Sequence, residues 1–292
     1  MRVLHKVVDT FLRRWIKQHN PFSHAQVGFQ PGRSTLEQAA AVQTLMRLQR
    51  APPALPLRRL LGHPKAFDSI PHAGLLRILR DIIQLFAAWV EAIRQLLLGA
   101  TTTIFGTEIP ITRSCPQGSP LSPLLCMCYL EDLVCFLLTQ GPPADVQRPF
   151  STMAEGVWLL VMLLLFADDI ALLAIKIQTL QWLLDAVRAW TTARGLRLSI
   201  KAKAMVLARW PRTALNPAPL DAGLEQHMEW VPEYRYLGAT FRMAPIGKPT
   251  KQQMPRLPLN AGGIAYQLLL LHELLKCPSG ARFSCSRIVH VH

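Results

Sequence analysis

The stretch Val157-Trp-Leu-Leu-Val-Met-Leu-Leu-Leu-Phe-Ala-Asp-Asp-Ile-Ala-Leu-Leu-Ala-Ile175 decides the interpretation of the chain, because two adjacent aspartates interrupt a long apolar run. A bilayer-spanning helix needs about 20 apolar residues, and each central carboxylate opposes insertion by about 2.5–3.5 kcal/mol. We therefore predict no membrane partner, but a buried strand, a turn at Ala167-Asp-Asp169 and a second buried strand over 170–175. Buried carboxylates must be paired or bind a metal.

The aspartate turn has two interpretations. Asp168 and Asp169 at the edge of two apolar strands could hold an oxygen-ligated cation such as Mg²⁺ together with substrate phosphates. Aspartate is also a common turn residue, so an isolated pair does not establish a metal site. The motifs around the turn decide between the two.

Five further motifs accompany the turn in a fixed order. They are Gly28-Phe-Gln-Pro-Gly-Arg-Ser-Thr35, Lys65-Ala-Phe-Asp68, Pro116-Gln-Gly-Ser119, Gly195-Leu-Arg-Leu198 and Tyr236-Leu-Gly238. Together with Phe166-Ala-Asp-Asp169, and over roughly residues 1–245, they resemble the successive motifs of reverse transcriptases. The resemblance is greatest to the non-LTR retrotransposon (LINE-like) group, and group II intron enzymes are more distant.

The resemblance implies an α+β fold of the right-hand polymerase type, with an antiparallel palm sheet backed by helices. It also implies an RNA-directed DNA polymerase that adds deoxynucleotides to a primer 3′ end on an RNA template. The partners would be the RNA template, the DNA primer and deoxynucleotide triphosphates, with two Mg²⁺ ions as cofactors and Mn²⁺ as a substitute. The expected divisions are fingers (1–56), the first palm strand (57–70), a fingers insertion (71–115), palm (116–242) and a thumb stub with a degenerate tail (243–292).

The same resemblance assigns the site residues. Asp168 would be the principal ligand of both metals, with Asp169 beside it. Phe67 would lie beneath the incoming sugar and select deoxynucleotides, although a core phenylalanine would look the same. The remaining assignments are Gln117 and Gly118 near template and nucleotide, Arg33 on a template phosphate, and Tyr236, Leu237 and Gly238 in the primer grip. The alternatives are an ordinary turn for Gln117 and Gly118, a solvated side chain for Arg33, and a half-buried edge strand for the primer-grip residues.

Gly62 departs from the family pattern. Family members carry a metal-binding aspartate at this position, three residues before the Lys of Lys-Ala-Phe-Asp, so this chain keeps two of the usual three carboxylates. A family lysine is also replaced by Ala202, and the chain is expected to begin just after the first fingers motif. We therefore expect a truncated or decayed copy with low turnover. A non-catalytic nucleic-acid-binding remnant and an unstable remnant without function remain the alternatives.

The charge distribution agrees with a polyanionic partner. Lys and Arg number 32 against 18 Asp and Glu, a formal charge of +14. Residues 1–50 carry +6, residues 51–195 carry zero and residues 196–292 carry +8. Nucleic acid would bind such ends, but a solvated basic surface has the same composition. The sequence leaves the oligomeric state open.

Cysteine usage indicates a reducing compartment, because six cysteines in 292 residues are too few for a disulfide scaffold. The tail residues Cys277, Cys285, His290 and His292 match no common zinc spacing. No secretory signal is visible, so the expected location is intracellular, nuclear or cytoplasmic.

Hydrophobic periodicity and turn residues predict the remaining elements. The N-terminus forms a basic amphipathic helix, and Ser122 is expected to cap a helix that runs to about residue 138. One long helix or two shorter ones fit residues 73–99. Further predicted elements are helices over 35–50, 178–194 and 261–276, a hairpin over 101–112, strands over 57–61, 196–200 and 204–208, and a strand with a turn over 234–241.

Overall fold

The computed structural model describes residues 2–23, 25–30, 32–48, 58–62, 69–99, 101–115, 118–141, 162–167, 169–174, 177–196, 203–206 and 229–242. Its helices are α1 (Arg2–His19), α2 (Thr35–Leu48), α3 (His72–Asp81), α4 (Ala87–Leu98), α5 (Ser122–Gln140) and α6 (Ile177–Ala193). Its strands are β1 (Arg58–Gly62), β2 (Thr101–Ile104), β3 (Thr107–Pro110), β4 (Leu163–Phe166), β5 (Asp169–Ala174), β6 (Lys203–Val206), β7 (Glu229–Trp230), β8 (Glu233–Tyr236) and β9 (Ala239–Arg242).

Five strands form the central sheet, in the order β4-β5-β1-β6-β7. Among the first four, each strand is antiparallel to its neighbour in that order. The β6–β7 pair is parallel, which departs from the expected antiparallel sheet. A parallel neighbour requires a connection of about a dozen residues or more, and residues 207–228 supply that length.

The central sheet and the helices share one hydrophobic core. Strands β4 and β5 are apolar at nearly every position, because both of their faces are covered. Fully burying a leucine contributes about 1.5–3 kcal/mol, so such strands and helices associate strongly. The core includes Leu12 of α1, Leu79 of α3, Leu130 of α5, Leu172 of β5 and Leu183 of α6.

Helix α1 confirms the predicted basic amphipathic helix. Val8, Leu12 and Trp15 are buried, whereas Arg14 and Lys17 are exposed. Phe11 stacks on Trp89 of α4, with 3.5 Å between the ring centroids. The apolar face of α1 therefore packs within the domain from Val8 onward, whereas Val3, Leu4 and Val7 near its N-terminal end are exposed.

Helix α5 is the single helix among the described residues that is long and apolar enough to cross a membrane by length and composition. Of its most apolar stretch, 72% is buried inside the protein, as in the core helix of a folded domain. Asp132 of α5 accepts hydrogen bonds from Trp190 Nε1, at 2.8 Å, and from Arg194. The Arg194 guanidinium also lies over the Trp190 ring, 5.2 Å from its centroid.

One helix boundary differs from the sequence prediction, and the structure decides a second point that the sequence left open. The N-cap of α5 is Leu121 and makes no side-chain capping bond, so the predicted Ser122 cap is wrong; Ser122 and Pro123 form the first turn. Of the two arrangements predicted for residues 73–99, the structure has the two shorter helices. They separate where Ile83 and Leu85 donate their N–H groups back to Ile78 and Leu79, which buries both side chains.

The other predicted elements agree with the structure where it describes them. The hairpin over 101–112 is confirmed as β2–β3, and the end of α6 is confirmed near Gly195. There the N–H groups of Gly195 and Leu196 bond to Thr192 and Thr191, a Schellman motif that uses the positive φ of Gly195, +64°. Residues 234–241 form the hairpin β8–β9, separate from the central sheet. Residues 197–200 and the predicted helix over 261–276 lie outside the described residues.

Candidate functional site

The carboxylate turn, residues 166–169, connects β4 and β5 as the sequence predicted. Phe166 pairs with Asp169 across the hairpin. Ala167 has a φ of +56°, in the left-handed region required by tight hairpin turns. Asp169 is half-buried at the start of β5, and Asp168 lies outside the described residues. The turn is thus a tight, locally strained bend.

The C-terminal end of β1 lies beside this turn. Gly62, where the resemblance expects an aspartate, is opposite Ile170 in the β1–β5 register. Ile170 in turn pairs with Leu165 of β4. The sheet therefore places Gly62 one position along from Asp169, although the two residues are more than 100 positions apart in sequence.

A loop over residues 25–28 covers the outer edge of β4. Val27 N–H donates to the Leu165 carbonyl at 2.9 Å, and Leu165 N–H donates to the Ala25 carbonyl at 2.8 Å. An exposed sheet edge invites unwanted strand pairing, and this loop satisfies its backbone groups instead. The carboxylate turn is held between β1 on one side and this loop on the other.

Gly28 is required by a close approach to the turn. A Cβ at this position would lie 2.3 Å from the Ala167 nitrogen, a backbone atom that cannot move aside easily. The Gly28 N–H donates to Gln26 Oε1 at 3.0 Å, and the Ala167 N–H donates to the same oxygen at 3.3 Å. One buried amide oxygen therefore ties the loop to the turn.

Buried glutamines are the site residues that sequence reasoning missed. Gln26 is 0% and Gln38 is 2% exposed. Gln38 Nε2 donates to the Leu165 carbonyl at 2.7 Å, and Gln38 Oε1 accepts the Tyr236 hydroxyl at 2.7 Å. Gln26 lies just before the Gly28–Thr35 motif, and Gln38 follows it within α2. The two glutamines on the buried face of α2, Gln38 and Gln43, were the available signal.

The predicted primer-grip residues occupy two environments. Tyr236 is buried, and its hydroxyl donates to Gln38. Leu237 and Gly238 form the tip of the β8–β9 hairpin, with φ values of +47° and +84°. Gly238 is exposed and a Cβ there would meet no neighbouring atom within 4 Å. The exposed part of this motif is therefore the hairpin tip.

Of the other predicted nucleotide and template residues, the structure describes two. Arg33 Nε donates to Glu37 Oε2 at 2.9 Å, an ion pair that spans the start of α2. Gly118 is exposed with a φ of +78°, so its backbone is open to solvent. Phe67 and Gln117 lie outside the described residues, and their roles stay predictions.

The chemistry of the site rests on oxygen donors. Aspartate carboxylates are hard ligands that suit Mg²⁺ and Mn²⁺, so Asp168 and Asp169 fit a divalent cation by donor type. No cluster of three His, Cys, Asp or Glu side chains occurs in the described part of the chain, which does not include Asp168. Burial raises the pKa of the Cys115 thiol to about 12, which makes it a poor nucleophile at neutral pH.

Comparison with known proteins identifies the family. The model described as "Reverse transcriptase (RNA-dependent DNA polymerase)" matches residues 1–241. A curated relative, a retrovirus-related Pol polyprotein from the type-1 retrotransposable element R2 of Popillia japonica, is 28% identical over 221 residues. The match covers 68% of this chain and 34% of the relative, so the chain spans about a third of that polyprotein.

Solved structures show a similar fold. Apo telomerase from Candida tropicalis superimposes with a TM-score of 0.52 at 13% identity, over 82% of this chain and 39% of that one. Telomerase from Candida albicans, in complex with a TWJ fragment of telomeric RNA, gives 0.52 at 11% identity, over 82% and 36%. These likenesses are consistent with the right-hand polymerase fold. With its motifs in family order and a family match over residues 1–241, the chain belongs to the reverse transcriptase family, as a domain of the retrotransposon kind.

Proposed function

We propose that this chain is the polymerase portion of a retrotransposon reverse transcriptase, which holds a divalent cation with Asp168 and Asp169 and binds an RNA template paired with a DNA primer. The observation that carries the proposal is the convergence of the carboxylate turn and the end of β1 at Gly62. The central sheet corresponds to the palm. Residues 1–56 and 71–115 correspond to the fingers, and residues 243–292 to a thumb stub with a degenerate tail.

Divalent metal use is general in this family, and we assign two Mg²⁺ ions to this site, with Mn²⁺ as a substitute. A bound cation neutralises charge that develops on the transferring phosphoryl group. Asp168 and Asp169 would hold it. Phe67 would exclude a 2′-hydroxyl, while Gln117, Gly118 and Arg33 would contact nucleotide and template. The hairpin tip at Leu237 and Gly238 would contact the primer.

The nucleic-acid partner is supported by charge and by the fold. The two basic ends of the chain, +6 and +8, flank a neutral middle. One telomerase of similar fold was solved with a fragment of telomeric RNA. Because the substrates are RNA, primer DNA and deoxynucleotide triphosphates, the proposal includes an intracellular location.

The metal assignment is tested by Mn²⁺ titration. The variant that combines Asp168→Asn with Asp169→Asn should lose Mn²⁺ binding and keep or gain thermal stability, because two adjacent like charges are removed. Asp185→Asn, an exposed carboxylate on α6, is the matched control and should bind as the unmodified chain does. An unchanged isotherm in the double variant would show that the ligands are elsewhere.

Polymerase activity is tested at Gly62. Gly62→Asp should supply a third carboxylate beside the turn and raise Mg²⁺-dependent primer extension well above that of the unmodified chain. Gly62→Asn has nearly the same size but a weaker oxygen donor for a hard dication, and should not. Circular dichroism must first show a cooperatively folded domain. Strong extension by the unmodified chain would mean that the missing aspartate is dispensable.

A second candidate function is nucleic-acid binding without catalysis, and the glycine at position 62 favours it. Both candidates expect an RNA–DNA hybrid to bind with little sequence preference. The logarithm of affinity should fall with the logarithm of salt concentration by about 0.9 per neutralised phosphate, as for duplex DNA. A salt-independent affinity would reject both. If the folded Gly62→Asp variant binds the hybrid but does not extend the primer, the function is nucleic-acid binding without catalysis.

A further inference from the structure

Three distant segments of the chain meet through the side chain of Gln38. The Tyr236 hydroxyl donates to Gln38 Oε1 at 2.7 Å across 198 residues of sequence. Gln38 Nε2 donates to the Leu165 carbonyl at 2.7 Å across 127 residues, and to the Ala25 carbonyl at 3.3 Å. A single amide thus connects the β8–β9 hairpin, strand β4 and the loop at its edge.

These bonds lie in the interior, where each is hard to replace. Gln38 and Tyr236 are both 2% exposed. A buried donor or acceptor that loses its partner is left desolvated and unsatisfied, so each group holds its partner in place. The Leu165 carbonyl also accepts the Val27 N–H at 2.9 Å, which makes it the point where the Gln38 side chain and the edge loop converge.

The connection reaches the carboxylate turn within two residues. Leu165 is followed by Phe166 and Ala167, and the Ala167 N–H is held by Gln26 from the same edge loop. A displacement of the β8–β9 hairpin would therefore pass through Tyr236 and Gln38 to the strand that carries the turn. An amide is suited to this place because it accepts from a hydroxyl and donates to a carbonyl at the same time.

We propose that Gln38 is a positioning residue that couples the β8–β9 hairpin to the carboxylate turn. Under the proposed function, on which this role rests, Gln38 sets the distance between the primer-contacting hairpin tip and the metal-binding carboxylates. Gln38 acts through Tyr236 and Leu165 and contacts neither substrate nor metal itself. The coupling is a property of the fold, so it can be measured whether or not the chain polymerises.

The first arm of the test is amide hydrogen exchange of the full chain. Tyr236→Phe removes one hydroxyl and keeps the ring, whereas Gln38→Met keeps the volume and removes both hydrogen-bonding groups. Each should speed exchange at Val27, Leu165 and Ala167 by about fivefold, since a buried hydrogen bond contributes about 1 kcal/mol. The double variant should be no faster than Gln38→Met alone, because both changes break one connection.

Two matched controls separate coupling from general destabilisation. Tyr234→Phe removes a hydroxyl from the same strand, and Gln43→Met removes a buried amide from the same helix. Neither should change exchange at Ala167. If Tyr236→Phe affects only the hairpin amides, or if the controls act as strongly as the two test variants, the coupling is wrong. Tyr236→Phe is conservative enough to fold even if Gln38→Met is not.

The second arm measures Mn²⁺ affinity of the folded variants. Tyr236→Phe should weaken binding severalfold although it alters no carboxylate, a result that a merely structural hydroxyl would not give. If the unmodified chain binds Mn²⁺ and Tyr236→Phe binds it with the same affinity, the positioning role is wrong. If the parent binds no Mn²⁺, the proposed function fails, and the exchange data alone then decide whether Gln38 couples the two segments.

Discussion

The α5–α6 interface and the carboxylate turn both bury polar side chains, but they use them differently. At the interface Asp132 is charged and bonds to two side chains, those of Arg194 and Trp190. At the turn, Gln26 and Gln38 are neutral, and they bond mainly to the main chain. The Asp132 bonds stabilise the packing of two helices, whereas the two glutamines fix the position of the main chain beside the carboxylate turn.

The largest effect is expected at the centre of the interface. Trp190 is fully buried and contacts Tyr129 edge-on, with 5.9 Å between centroids. Trp190→Ala should lower the free energy of unfolding by about 4 kcal/mol, because it creates a cavity and removes a hydrogen bond to Asp132. Urea denaturation measures the loss. Trp182→Ala, on the same helix but only half-buried, should cost clearly less; equal costs would show that the interface is not the main core contact.

The next effect concerns the buried ion pair. Asp132→Asn should destabilise the fold by about 3 kcal/mol, because Arg194 is left without its charge partner in a largely buried site. Asp185→Asn breaks the exposed pair with Arg188 on the same helix and should cost about 0.5 kcal/mol or less. Thermal melts of both variants make the comparison. Similar losses of stability in Asp132→Asn and Asp185→Asn would contradict the description of the interface as a paired, buried cluster.

A smaller loss is expected at the turn. Gly28→Ala places a methyl group 2.3 Å from the Ala167 nitrogen and should destabilise by about 2 kcal/mol while weakening Mn²⁺ binding. Gly74→Ala, in α3, meets only ordinary contacts of 3.5 Å or more and should stabilise the helix by about 0.5–1 kcal/mol. Denaturation and Mn²⁺ titration separate the two. Normal Mn²⁺ binding by Gly28→Ala would show that the loop does not shape the turn.

The smallest effect lies on the solvated face of α4. A hydrogen bond from Arg94, and a second from Gln95, lower the pKa of Glu91 from 4.5 to about 2. The folded pKa is below the unfolded one, so this stabilisation is present above pH 4.5 and is lost as the pH falls towards 2. Arg94→Ala should raise the Glu91 pKa, as measured by NMR titration, and reduce the acid dependence of the melting temperature slightly. A large change in this acid dependence would mean that the exposed Glu91–Arg94 pair stabilises the fold as much as the buried Asp132–Arg194 pair.

The sequence was most informative where local chemistry is strong. Apolar runs, helical periodicity and glycines at turns located both strands of the aspartate hairpin, the two-stranded hairpin and the ends of α6. The cap at Ser122 and the parallel β6–β7 pair were not predicted correctly. Both depend on neighbours distant in sequence, because packing determines where a helix begins, and a long connection allows either strand direction until the strands pair.

The sequence alone determined the family, the aspartate turn and the absence of a carboxylate at position 62, because these depend on residue identity and order. Only the tertiary structure decided that Gly62 lies opposite Ile170, that Gly28 touches Ala167, and that Tyr236 is buried against Gln38. Each of these is a contact between segments far apart in the chain. Such contacts arise when hydrophobic burial brings the segments together and the interior then requires every polar group to find a partner.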